Sequence, residues 1–165
     1  MTDHTRLGQA FYDFTMRCGR FLIRHRIVAQ LLTVTWGLLG AAIGLIEMLI
    51  VLLLPKKKGF GVFNGFPYVM FGMNWGGLEG FLWFFVADGM GDAWTTHIKQ
   101  HEVGHSFQNA IYGPFTPFII TIPSIIRYWA RKGSRPKKSY DAIWFEGSAT
   151  AIGEEYDSLC RQKKA

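Results

Sequence analysis

The chain has 165 residues, a formal net charge of +6, and 49% apolar and 16% aromatic residues, which describes one modest domain and is too apolar for a disordered tail. Two cysteines, Cys18 and Cys160, are too few for a disulfide-stapled secreted scaffold and fit a reduced compartment or plain core filling. The glycines follow no Gly-X-Y period and no repeat has solenoid spacing, so collagen and repeat arrays are excluded.

From Ile27 to Leu54 the chain reads IVAQLLTVTWGLLGAAIGLIEMLIVLLL, with Glu47 as its one ionisable side chain. A hydrocarbon core of ~30 Å needs ~20 apolar residues in helix, so the expectation is a membrane helix over 27–54. Residues 1–58 then form a basic segment plus that helix, and 59–165 a separate catalytic domain. Gly37, Gly40, Gly44 and Glu47 fall on one face of such a helix. Gly40 and Gly44 make a GxxxG pair that admits a second backbone, within the chain or in a second copy forming a homo-oligomer. Arg17, Arg20, Arg24 and Arg26 precede the run and Lys56, Lys57 and Lys58 follow it, a narrow margin under the positive-inside rule. The expected location is a membrane, integral or monotopic, with the catalytic domain on the cytoplasmic side. A second basic run, Arg127 to Lys138, reads as a solvated loop or as a contact for anionic lipid headgroups.

Residues 59–86 are rich in glycine and aromatics. Asn64-Gly65 is a two-residue hairpin signal, and Asn74-Trp75-Gly76-Gly77 reads as a second turn leading into a strand from Leu78 to Val86. Pro67 cannot donate to a ladder, which places its strand at a sheet edge.

Asp92 to Tyr112 reads as a helix that stops at Gly113-Pro114. Val103, Phe107, Ala110 and Ile111 form its apolar stripe, and the opposite side carries His101-Glu102-Val103-Gly104-His105. Histidines four apart stack on one helix face, where two imidazoles can bind one Zn²⁺. The glutamate after the first histidine points to the metal's open side and can take a proton from a water there. At this composition chance supplies about 0.005 HExxH matches in the chain. Gly104, in mid-helix, costs ~1 kcal/mol relative to alanine and calls for a compensating close approach.

A catalytic zinc keeps three protein ligands. With Asp141 as N-cap, a second helix begins AIWFEGSATAIGEEYDSLC. Its apolar stripe contains Glu146, whereas Glu154, Glu155 and Asp157 fall off it and are expected in solvent. A carboxylate facing a core is paired with Arg or Lys, neutralised, or bound to a metal, so Glu146 is the candidate third ligand. His97 and His4 are weaker candidates; His97 sits four residues before His101, and three histidines in line on one helix span ~12 Å. Pro114 to Trp129 is apolar, interrupted by Pro117 and Pro123, and reads as a core segment or one lying along a membrane surface.

HEVGH followed by Glu146-Gly147-Ser148-Ala149 on a later helix resembles the gluzincin metallopeptidases, and among them the membrane-bound CAAX prenyl protease type with its HExxH and ExxAD helices. The resemblance covers residues 92–153. It implies His101, His105 and Glu146 as zinc ligands, Glu102 as catalytic base, and an edge strand over the active site, for which Leu78–Val86 is the counterpart. Thr150 stands where that pattern has Asp, so the contact usually made there to a zinc-bound histidine must come from elsewhere or be absent. Tyr112, Tyr140, Tyr156 and His97 are candidates for steadying a developing oxyanion.

The expected fold is α+β: a mainly helical, zincin-like domain with a small glycine- and aromatic-rich sheet and an N-terminal membrane helix. The expected function is a membrane-associated zinc metallopeptidase acting on a peptide or protein near the bilayer. The alternative is a non-catalytic membrane adaptor with a structural or vestigial zinc site. No aromatic–basic platform or finger spacing points to nucleic acid.

Overall fold

The computed structural model describes residues 5–53, 57–72, 76–88, 91–132 and 139–164. It is mainly helical with one small mixed sheet, as the α+β expectation has it. The first helix, α1 (Arg6–Arg24), starts where the Thr5 side chain accepts from the Gly8 amide at 3.2 Å, an N-cap of ordinary type. Its buried side, including Gly8, Thr15, Met16, Gly19, Leu22 and Ile23, leaves the arginines in solvent. The basic N-terminal segment is thus an amphipathic helix packed into the protein.

The apolar run 27–54 is not one helix. It divides into α2 (Arg26–Val34) and α3 (Leu38–Leu53), bent by 83° about residues 35–37; Leu54 itself lies outside the described residues. Among the described residues no single helix is long and apolar enough to cross a membrane, which corrects the expected N-terminal membrane helix. The bend has a local cause. Thr33 and Thr35 turn their hydroxyls back onto the Ala29 and Leu31 carbonyls at 3.0 and 2.6 Å, a contact that competes with regular helix and bends it. The Gly37 amide then reaches back five residues to the Leu32 carbonyl. The GxxxG face of α3 is taken by the chain itself. Gly40 meets the Phe81 ring, Gly44 meets the Gly80 carbonyl, and the Trp83 indole donates to the Gly44 carbonyl at 2.7 Å.

Strands β1 (Lys57–Phe63), β2 (Phe66–Phe71), β3 (Gly77–Glu79) and β4 (Phe84–Ala87) form a sheet in the order β1-β2-β4-β3. Asn64 and Gly65 both have positive φ, 50° and 86°, as a type I′ hairpin between β1 and β2 requires. Pro67 does not mark an edge: β2 is interior, and the proline is tolerated because pairing with β4 begins only at Tyr68. The expected strand Leu78–Val86 is two strands. A tight turn at residues 80–83, closed by the Gly80 amide on the Trp83 carbonyl at 2.8 Å, separates edge strand β3 from β4, which is buried along its length. Of the second expected turn, residues 74 and 75 lie outside the described residues.

Helix α4 (Asp92–Tyr112) ends at Gly113, φ 53°. The chain then makes a 3₁₀ turn, a π-turn over Pro117–Thr121 and α5 (Ile122–Lys132), swung 113° from α4. Helix α6 (Trp144–Gln162) has Ile143 at its N-cap. Asp141 is not that cap; it sits in a separate 3₁₀ turn, Tyr140–Ala142. The main core joins Met16, Leu22 and Ala29 of α1 and α2 to Phe84, Val86, Val103, Phe107 and Ile152, so residues on both sides of position 58 share it.

Helices α4 and α6 run antiparallel in close contact. A Cβ at Gly104 would run into the Ala149 carbonyl, and one at Gly153 into the Gln100 carbonyl. These two glycines, a turn apart along the crossing, set how near the helices come.

Asp157 is buried, contrary to the expectation that it is solvated, whereas Glu154 is exposed and Glu155 pairs with Arg20 near the surface. The Asp157 carboxylate accepts from Asn64 Nδ2 at 2.7 Å, Gln100 Nε2 at 2.8 Å and Arg161 at 2.7 Å, tying the hairpin to α4 and α6. Asp157→Ala strands those donors and is expected to cost about 1–3 kcal/mol, measured by urea unfolding at neutral pH. Burial alone would raise this carboxyl's pKa, but the bonds from Arg161, Asn64 and Gln100 outweigh it and hold it below the usual range. A depressed pKa stabilises the fold above about pH 4 and ceases to do so as pH falls through the folded value. The gap between wild type and variant should therefore close on acidification.

Candidate metal centre

On α4, His101 and His105 project from one face, one turn apart, and Glu146 enters from the first turn of α6. The helix crossing brings three donor atoms together. His101 Nε2 and His105 Nε2 are 3.1 Å apart, and Glu146 Oε2 lies 3.2 and 3.3 Å from them. Glu146 is wholly buried, while the two histidine side chains keep 8% and 12% exposure. The trio is therefore enclosed by protein behind and accessible from one side. Two imidazoles and a carboxylate at this separation could hold a metal ion.

Each donor is held from behind. His101 Nδ1 is 2.8 Å from Thr150 Oγ1, and His105 Nδ1 is 2.7 Å from Gln108 Oε1. The Gln108 carbonyl oxygen accepts and so requires an N–H on His105 Nδ1, while the Thr150 hydroxyl can serve His101 Nδ1 as donor or acceptor; both Nε2 atoms are the ones turned toward Glu146. Thr150 itself therefore gives His101 a partner, which corrects the expectation that such a contact comes from elsewhere or is absent. Gln108 is wholly buried and donates in turn to the Phe145 carbonyl at 2.7 Å and to Ser148 Oγ at 2.9 Å. Burial would raise the Glu146 pKa, but the bonds from His101 and His105 outweigh it and keep it ionised. Burial alone would lower the His105 pKa; the Glu146 carboxylate overcomes this and lifts it to about 9.

Glu102 is buried beside the pair and does not join the donor triangle. Burial raises its pKa, against the opposing pull of His101 and His105. Gly77 on β3 approaches so closely that an added Cβ would lie 2.5 Å from Glu102 Oε1, so a side chain there would displace the carboxyl group. All four residues face a cavity of about 600 Å³, walled by β3 on one side and α5 on another. Glu79, on β3, also lines it. Its carboxylate accepts from Ser106 Oγ at 3.1 Å and from the Asn109 amide, yet burial dominates and raises its pKa to about 8.

Of the four expected oxyanion donors, the structure brings two to the cavity. Tyr140 and His97 line it, the Tyr140 ring centroid 6.4 Å from that of His101. Tyr112 is turned away, its hydroxyl 2.5 Å from Thr15 Oγ1, and Tyr156 sits in the core and donates to the Asn64 carbonyl at 2.9 Å. His4 lies outside the described residues. Sequence reasoning missed Glu79, Gln108 and Ser124; of these only Gln108, three residues past His105 on the same helix, had a periodicity signal.

Compared with models of known families, with curated proteins and with solved structures, the chain matches none.

Proposed function

We propose that the chain is a zinc metallopeptidase acting on peptides or proteins at a membrane surface, with His101, His105 and Glu146 as metal ligands and Glu102 as general base. The observation that carries this reading is the donor triangle. Ligand atoms on a tetrahedral zinc shell of ~2.0–2.1 Å stand ~3.3–3.4 Å apart, and the three sides here are 3.1, 3.2 and 3.3 Å. The arrangement therefore needs only small adjustment to take such an ion.

When bound, zinc supplies a Lewis acid that polarises a carbonyl and lowers the pKa of a water. Glu102 provides the proton traffic. Buried beside the histidine pair and outside the donor triangle, its carboxylate can receive the water's proton and return it to the leaving amine. Edge strand β3 offers unpaired backbone groups along the cavity, where an extended peptide can add as a further strand. His97, which lines the cavity, is a candidate to face the developing charge, the Tyr140 hydroxyl being engaged with Ser124 Oγ.

The membrane part of the proposal rests on exposed apolar side chains. Leu38, Leu45 and Leu49 of α3 and Ile122, Ile126 and Trp129 of α5 are all exposed. The Trp36 and Phe115 rings, 6.0 Å apart, connect the two stretches. Exposed apolar side chains grouped on these two helices of a small protein support a contact surface. Purified protein should co-sediment with phosphatidylserine-containing vesicles and lose that binding in Ile126→Asp and Leu49→Asp. Protein left in the supernatant with every vesicle would remove the membrane from the reading.

The central test is metal analysis followed by cleavage of a broad peptide library. About one zinc per chain and chelator-sensitive cleavage are expected. Absence of metal would refute the proposal; metal without cleavage would favour the adaptor.

A further inference from the structure

Glu146 has two carboxylate oxygens, and the histidines face only Oε2. The other, Oε1, accepts from Ser124 Oγ at 2.5 Å. Ser124 Oγ lies also 2.9 Å from the Tyr140 hydroxyl. Because the serine gives its single proton to the carboxylate, the tyrosine is the donor in that second contact. Ser124 belongs to α5, and Tyr140 to the 3₁₀ turn ahead of α6. Arg127 fastens the two together, donating to the Tyr140 carbonyl at 3.0 Å and to the Ser139 carbonyl at 3.0 Å. Proton transfer through Glu102 makes no use of Ser124, so this relay calls for an account of its own.

We infer that Ser124 is a positioning residue for the third ligand, holding Oε1 so that Oε2 stays turned toward the imidazoles, with Tyr140 orienting the serine hydroxyl. The terminal torsion of a glutamate is soft. Removing Ser124 takes a donor from a wholly buried carboxylate oxygen, which is costly, and rotation of the carboxylate to recover a partner would change how it meets an ion. The inference rests on reading the trio as a metal site.

The test uses the full chain stripped by a chelator, then titrated with Zn²⁺ against a chromophoric competitor and with Co²⁺, whose visible absorption reports ligand geometry. Ser124→Ala is expected to bind both ions ~10–100-fold more weakly, to alter the Co²⁺ spectrum, and to keep the wild-type circular dichroism. Ser124→Thr, which retains the hydroxyl, should stay within about threefold of wild type. Tyr140→Phe, with Ser124 in place, should shift the Co²⁺ spectrum and lose less affinity than Ser124→Ala. Wild-type affinity and spectrum in Ser124→Ala, or an equal loss in Ser124→Thr, would overturn the inference. Should Ser124→Ala not fold, an unchanged spectrum in Tyr140→Phe would overturn it instead. A wild-type chain that takes up neither ion defeats the underlying metal-site reading as well.

Discussion

Replacing Glu102 by Gln should lower peptide hydrolysis by roughly two to four orders of magnitude while leaving zinc content and melting temperature near wild type. The amide fills the same volume and keeps hydrogen-bonding capacity, but it cannot accept a proton at neutral pH. Because Glu102 stands outside the donor triangle, the metal should be retained. The measurement is kcat on a peptide that the wild type cleaves, alongside zinc per chain. Full turnover in Glu102→Gln would take the base role away from this residue. Loss of zinc along with activity would mean that Glu102 supports the ion rather than the proton.

Gly104→Ala has the opposite profile, with a large structural effect from a single methyl group. In an exposed helix interior the change would stabilise by ~1 kcal/mol. Here the methyl group meets the Ala149 carbonyl, a backbone atom that moves only if α6 moves with it. We expect a loss of about 3 kcal/mol or more, read by urea unfolding, together with weaker zinc binding, since separating α4 from α6 draws Glu146 away from the histidines. Ala149→Gly should not rescue the variant, because the obstacle is main chain. A Gly104→Ala protein as stable as wild type would show that the crossing is looser than its geometry states.

What the sequence made legible was largely local. The HExxH helix and its stop at Gly113, the Asn64-Gly65 turn and the inward-facing Glu146 follow from spacing or turn chemistry, which act over a few residues. The apolar run 27–54 misled because hydropathy sums side chains and is blind to Thr33 and Thr35 bending the helix they belong to. Asp157 was placed in solvent by helix periodicity alone; its partners Asn64 and Gln100 come from distant elements. Pro67 reads as an edge because the proline rule concerns the residue, whereas the strand order depends on where β4 begins to pair. Ser124 left no trace in the sequence, since its role exists only once α5 returns to the mouth of α6.

Between His105 and Glu146 the chain makes a long excursion through a swing of 113° and α5 before it comes back. Ile120, Ile125, Tyr128 and Trp129 of that excursion line the cavity, while His101, His105 and Glu146 stay behind on the α4–α6 crossing. Much of the apolar cavity wall and the donor trio thus come from separate stretches of chain. Substitution at Ile120, Ile125, Tyr128 or Trp129 can therefore reshape the cavity wall without touching the donor trio, so long as Gln108, Ser124, Arg127 and Tyr140 keep their places.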